Sequence, residues 1–252
     1  MPRKMDLRAL KRKSVDEIGI AMARYDAAAG MHYSWRRWIA RMTAVEVHAV
    51  WERYVEARLV AALNHSPKHF LEQENITGIT RISPGFARYI VRGGRRFFDF
   101  RSMGDLAEKA NRWLGKAANP FGSLTATDQS FIDCLAAVRN HVVHGSAASV
   151  ATYKRMLRSV YGIKSAPGPD EFLHADEFLH AKDWWTKSPA RYKSRLHVLA
   201  EVIERTIGGF RVAEKGFGAP GRSPGSAGRF APREPGRVVL KFGDVTEAVR
   251  RR

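Results

Sequence analysis

The longest uninterrupted pattern in the sequence runs from Thr43 to Leu63, with no proline before Pro67. Its apolar residues recur every three or four positions, so they share one stripe of a helix. They are Val47, Trp51, Val55, Leu59 and Ala62. A stripe of this length has to be covered by other elements, and similar stripes recur along the chain. We therefore predict an all-α fold, a helical bundle in which this helix is a central packing element.

Shorter helical patterns surround the long one, giving some six helices. A capping box at Ser14 to Glu17 predicts that the first helix begins there, and Trp35 and Trp38 are interpreted as packing residues near a helix junction. Further patterns predict helices over Leu106 to Ala117, Ala147 to Tyr161 and a segment starting at Ser188-Pro189.

Composition and helical spacing also divide the chain into regions. Residues 1–30 are predicted to be a basic N-terminal arm with a short helix, residues 31–208 a helical domain, and residues 209–252 a flexible tail rich in Gly, Pro and Arg. The sequence from about 76 to 101 is β-like and turn-rich, with a Gly93-Gly94 turn, and is interpreted as a hairpin-like insertion between bundle helices.

The charge balance favours polyanionic partners. The formal net charge is +18, and nucleic acid is favoured over membrane because no basic helix with a large apolar face stands out. The single cysteine, Cys134, excludes an intrachain disulfide and suits a reducing compartment. Because neither a signal-peptide core nor an apolar run of about 18 residues is present, we expect a cytoplasmic protein.

A second helix is marked at both ends, by a capping box at Thr125 to Asp128 and by Gly145. One face is an apolar stripe of Phe131, Leu135, Val138 and Val142, and the opposite face is polar. The polar face holds Asp133, Asn140, His141 and His144, and Arg139 lies at the edge of the apolar stripe. A polar helix end of this kind is often simply solvated, and cations near a helix C-terminus are favoured by the helix dipole.

The run Arg139-Asn140-His141-Val142-Val143-His144 resembles the Arg-x4-6-His signature of the HEPN superfamily, including a polar residue directly after the arginine. Trp51 to Glu56 similarly resembles the first long helix of HEPN proteins, which would pair Glu52 with Arg139 through a bidentate contact. The alternative is that Glu52 faces water. The resemblance implies a HEPN-type bundle and a metal-independent, cofactor-free endoribonuclease. It also implies a homodimeric site and a role as a toxin with a cognate antitoxin, or as an anti-phage effector.

The residue types agree with metal-independent RNA cleavage. An imidazole exchanges protons near neutral pH, which suits His144 as the acid or base, and the planar cation of Arg139 suits a phosphorane. Asn140 would orient His144 or hydrogen-bond the scissile group, and His141 is an auxiliary acid or base. A cluster of arginines and aromatic residues in the insertion is the candidate RNA-contacting surface, with Arg92, Arg95 and Arg96 as its binding residues.

Two other functions stay open from the sequence. The domain would be a non-catalytic module that binds RNA or recruits a partner, or a metal-dependent hydrolase that uses His141 and His144 with the loop containing His174 and His180. The sequence has no Gly-rich phosphate loop, no CxxC pair and no Gly-x-Ser-x-Gly elbow, so nucleotide hydrolysis, zinc fingers and serine hydrolysis lack support.

Overall fold

The computed structural model describes residues 5–174 and 194–210, and this part of the chain is helical, with no β-strand within it. The predicted all-α bundle is confirmed. The helices in these ranges are α1 (Leu7–Ala27), α2 (Tyr33–His65), α3 (Lys68–Gln73), α4 (Pro84–Arg92), α5 (Met103–Leu114), α6 (Ala126–His144), α7 (Ala147–Tyr161), α8 (Pro169–His174) and α9 (Arg195–Gly209).

The long helix α2 is the centre of the bundle, as its apolar stripe predicts. It contacts α1, α4, α5, α6, α8 and α9. The indole of Trp51 is fully buried and packs edge-to-face on Phe121, which in turn packs on Phe210. Tyr54 stacks on Trp51 and also on Phe210. The first residues of the region predicted as a tail therefore belong to the core.

Short polar side chains begin most of the helices. Asp6, Ser83, Ser102, Thr125, Ser146 and Ser194 each accept a hydrogen bond from a backbone N–H in the first turn that follows. Such caps satisfy N–H groups that have no partner within the helix. The predicted bounds of α6 and α7 are confirmed, because their caps and closing glycines are all local signals.

The prediction of a hairpin-like insertion is wrong, because residues 84–92 form helix α4. Ser83 caps this helix, Pro84 occupies its first turn, and Gly93 ends it in the left-handed conformation with φ 58°. Ala87 and Val91 are buried on one face, and the helix packs on α2, so this segment is part of the bundle. The sequence Ile76 to Ile82 is not in a strand, since no neighbouring segment pairs with it.

Two predictions near the N-terminus are also corrected. The first helix begins at Leu7, capped by Asp6, and Ser14 lies buried within it, so the capping box at Ser14 is not used. Trp35 and Trp38 are not packing residues: their exposures are 60% and 52%, and they contact each other edge-to-face on the first turns of α2.

Residues 175–193 and 211–252 lie outside the described ranges, as do the predictions made for the start of the last helix, the His180 loop and most of the tail. None of the helices in the described ranges combines the length and apolar character needed to cross a bilayer.

Candidate functional site

The last turns of α6 carry several polar side chains, and the buried face of the same helix packs in the core. Leu135 and Val138 are fully buried on one side of α6, and this packing fixes the rotation of the helix about its axis. The helix ends at Gly145, which has φ 56° and donates its N–H to the carbonyl oxygen of His141. Because Gly145 ends α6 directly after His144, this imidazole lies exposed at the helix terminus.

The guanidinium of Arg139 brings two of the predicted site residues together. Its Nη1 atom donates to Oδ1 of Asn140 at 2.8 Å and lies 3.3 Å from Nε2 of His144. A guanidinium has only donors, so Nε2 of His144 is the acceptor in this contact and the ring proton of the neutral imidazole is on Nδ1. Asn140 therefore orients the arginine, while His144 presents an unprotonated nitrogen beside it.

Glu52 is near this group without touching it. Its Oε2 atom lies 3.6 Å from Nδ1 of His48, and no ion pair joins Glu52 to Arg139 within the described ranges. Burial by itself raises the pKa of Glu52. The neighbouring His48 and the charges of Arg139 and Arg53 lower it by more, so the net pKa lies below the usual value. The bidentate contact implied by the resemblance is thus not formed, and the two groups interact through their charges.

His141 is separated from the other histidine of the motif. Its ring stacks on Tyr153 of α7, with centroids 4.9 Å apart and planes at 13°. The Nδ1 atom is buried, with no hydrogen-bond partner among the described residues. Burial lowers the pKa of His141, and the nearby charges of Arg41 and Lys154 lower it further. The stack on Tyr153 makes this ring a packing group between α6 and α7, and the lowered pKa disfavours its charged form.

A polar cluster of His48, Glu52 and Asp133, on α2 and α6, was not predicted from the sequence. His48 on α2 is only 4% exposed and lies beside Glu52. Burial raises the pKa of Asp133 on α6, although the N–H of Met103, 2.8 Å from Oδ1, and the charge of His48 partly oppose this rise. The spacing of His48 and Glu52, four residues apart on one helix, was a signal that could have revealed their contact.

The predicted RNA-binding arginines divide into two kinds. Arg92 is committed to Glu56 of α2, with its Nη2 and Nε atoms 2.7 Å and 2.9 Å from Oε1. Nε of Arg88 also lies 3.5 Å from this oxygen. Arg95 and Arg96 are exposed and form no ion pair with any residue of the described ranges. Only these two of the three predicted arginines have a charge that is free for a ligand.

One further group has the residue types of a catalytic triad. Ser194, His197 and Asp26 form a hydrogen-bonded series, with 2.8 Å from Ser194 Oγ to His197 Nδ1 and 2.9 Å from His197 Nε2 to Asp26 Oδ1. Ser194 is buried and caps α9, so its hydroxyl is a structural group and not an accessible nucleophile.

Over residues 5–174 and 194–210, no group of three or more His, Cys, Asp or Glu side chains is arranged to hold a metal ion.

The chain was also compared with known proteins. No protein-family model, curated protein or solved structure matches this chain.

Proposed function

We propose that this protein is a metal-independent endoribonuclease of HEPN type, with its site at the C-terminal end of α6. The observation that carries the proposal is the contact of Arg139 with both Asn140 and His144. It gathers a permanent cation and an imidazole at an exposed helix end on a strongly basic chain. A phosphodiester is the substrate class that these groups suit best.

The reaction needs few groups. The 2′-oxygen of RNA forms a bond to phosphorus while the bond from phosphorus to the 5′-oxygen breaks, giving a 2′,3′-cyclic phosphate and a 5′-hydroxyl. A base takes the proton of the 2′-hydroxyl, and an acid gives a proton to the leaving 5′-oxygen. In the proposed mechanism His144 accepts the first proton at Nε2, and Arg139 stabilises the negative charge that develops on the phosphorane.

The remaining roles follow from the contacts. Asn140 keeps the guanidinium at the end of α6, and Glu52 acts on Arg139 through its charge. His141 serves in packing. Among the residues that the structure describes, the end of α6 offers a single exposed imidazole. A second copy of the chain would therefore supply the acid, and we propose that the active form is a homodimer. A toxin or anti-phage role, held in check by an antitoxin, belongs to the same proposal.

The test uses the purified full chain with RNA in the presence of a chelator. We expect cleavage that leaves 2′,3′-cyclic phosphate ends, and a loss of about 100-fold or more in Arg139→Ala and in His144→Ala. Arg112→Ala and His69→Gln are the matched controls, because the exposed Arg112 side chain lies beside Glu74 and contacts no residue of the motif, and His69 lies on α3. Both should cleave as the wild type does, and all variants should keep the helical circular dichroism.

Wild-type cleavage in both site variants would overturn the proposal. Salt-sensitive RNA binding without any cleavage would instead support a non-catalytic RNA-binding module, and stoichiometric bound metal would support a metal-dependent hydrolase. The cellular role is tested by expressing the intact chain and His144→Ala in bacteria. We expect that the intact chain arrests growth and that the variant does not.

A further inference from the structure

Three aromatic side chains stand exposed on α4 and on the turn that follows it. Phe86, Tyr89 and Phe97 are 45%, 63% and 67% exposed. The rings of Phe86 and Tyr89 are nearly parallel, with planes at 8° and centroids 6.4 Å apart. Contiguous exposed apolar surface marks interaction sites on soluble proteins. We call these rings, with Arg95 and Arg96, the α4 aromatic face.

The charges beside these rings point to the kind of ligand. Arg95 and Arg96 are exposed and have no ion pair among the described residues, and the guanidinium of Arg96 lies 5.2 Å from the ring centre of Phe97. Nucleic acid strands combine flat π-faces with phosphates, so they match a surface of aromatic rings and unpaired cations. An apolar protein partner would leave both arginine charges without a counter-ion, which disfavours it.

Not all aromatic residues of this segment belong to the face. Phe98 and Phe100 pack on each other, Phe98 also packs on Trp113, and both are partly buried against the core. Phe98 and Phe100 therefore hold the turn after α4 in place. Phe86 lies one helical turn before Tyr89, which brings the two rings onto one side of α4.

The face is also linked to the candidate site through α2. Glu52, whose pKa is lowered in part by the charge of Arg139, lies one helical turn from Glu56 on the same helix. Glu56 holds Arg88 and Arg92 of α4. Because α4 and α6 both pack on α2, the same helix supports the proposed RNA-binding face on α4 and the motif on α6.

We propose that the α4 aromatic face binds single-stranded RNA by stacking unpaired bases on Tyr89, Phe86 and Phe97, with Arg95 and Arg96 contacting phosphates. The inference rests on the proposed function for its substrate class and identifies where the substrate strand is held outside the reacting group. Stacking accepts every base because each has a π-face, so the face contributes affinity with little sequence preference.

The experiment measures binding of a fluorescein-labelled 2′-O-methyl oligouridylate, which the proposed reaction cannot cleave, and of an abasic oligomer of equal length and the same backbone to the full chain. Tyr89→Ala and Phe86→Ala should each weaken oligouridylate binding about tenfold and leave abasic binding unchanged, since only a base can stack. Tyr89→Trp should retain or improve binding. Arg95→Ala should weaken binding to both oligomers and reduce the salt slope by about one unit. Ile20→Ala, which removes an exposed apolar side chain on α1, is the control and should bind as the wild type does.

Wild-type oligouridylate binding in Tyr89→Ala and Phe86→Ala would overturn the inference, as would equal losses on both oligomers. A change in oligomeric state of Tyr89→Ala, with unchanged RNA binding, would make the face a protein interface and also overturn it. The result is separable from the proposed function. A chain that binds through Tyr89 without cleaving RNA fails only the nuclease proposal, and a chain that cleaves RNA without using Tyr89 fails only this one.

Discussion

Nη1 of Arg139 lies 3.3 Å from Nε2 of His144, five residues further along α6, where the helix comes to its end. The same nitrogen donates to Asn140, so one guanidinium contacts two other polar side chains of the last turns. Because arginine can only donate, the contact keeps a lone pair on the histidine nitrogen beside the cation. A phosphate that displaces His144 from Arg139 would leave the imidazole beside the phosphodiester, where it can accept the proton of the attacking 2′-hydroxyl.

The orientation of Arg139 depends on its hydrogen bond to Asn140. Replacing Asn140 with alanine removes the acceptor and leaves the guanidinium free to turn away from His144. A hydrogen bond to a charged group contributes about 1.5–3 kcal/mol, so we expect kcat for RNA cleavage to fall about 10- to 100-fold. Single-turnover cleavage by Asn140→Ala tests this. Asn140→Asp keeps an acceptor oxygen and should lose less, and equal losses in both variants would contradict the orienting role.

Glu52 on α2 and Asp133 on α6 should act on stability with opposite pH dependence. The folded pKa of Glu52 is below its usual value of 4.5, so its contribution is present above pH 4.5 and is lost as the pH falls further. The folded pKa of Asp133 is above 3.8, so its contribution is present below pH 3.8 and is lost as the pH rises through the folded value. Urea unfolding of wild type, Glu52→Gln and Asp133→Asn across this range measures both.

On acidification the stability difference between wild type and Glu52→Gln should shrink. For Asp133→Asn, the wild type should gain stability relative to the variant as the pH falls. Curves that run parallel for both variants would mean that neither carboxylate differs in pKa between the folded and unfolded chains.

The imidazole of His141 should weaken the fold in mild acid. Burial and neighbouring cations lower its pKa below the usual 6.5, so its contribution is present above pH 6.5 and is lost as the pH falls through the folded value. Phenylalanine at this position keeps the stack on Tyr153 and cannot take up a proton. We expect the stability of His141→Phe to decline less than that of the wild type below pH 6.5, measured by denaturant unfolding. A decline as steep as that of the wild type would count against this assignment.

The Cys134 thiol should be inert in the native protein. It is fully buried in α6, and burial raises its pKa to about 12. Because only the thiolate reacts, labelling by a disulfide reagent at pH 8 has to wait for unfolding. We expect the native rate to be at least about a thousandfold below the rate in guanidinium chloride. The chain has no other cysteine, so the signal is unambiguous, and rapid labelling of the native protein would contradict this packing of α6.

Local signals explain which parts of the fold were predictable. Thr125 and Gly145 bracket α6, and Ser146 and Gly162 bracket α7, because caps act within one turn of the residues that supply them. The same logic failed at α1 and α4. Ser14 to Glu17 matches a capping box but lies inside a helix that begins at Leu7 with Asp6 as its cap. The β-branched run before Ser83 favoured a strand, although Ser83 caps α4.

The candidate site was predictable to a similar extent. The sequence places Arg139, Asn140 and His144 on the last turns of one helix, but helical spacing did not predict the contacts of Arg139 with residues one and five positions further along the chain. It could not indicate that His141, on the same helix end, is covered by Tyr153, or that Arg92 is neutralised by Glu56. These partners are distant along the chain, and the way two helices pack decides whether they meet.

By itself the sequence determined an all-α chain, the central helix, the ends of α6 and α7, and the presence of an arginine and a histidine on adjacent turns. These properties depend on hydrogen bonds and periodicity within a few residues. The tertiary structure decided which polar groups are buried, which charges are paired, and that Trp35, Tyr89 and Phe97 are exposed. Burial and pairing depend on the packing of residues far apart in the chain, and no local pattern specifies that packing.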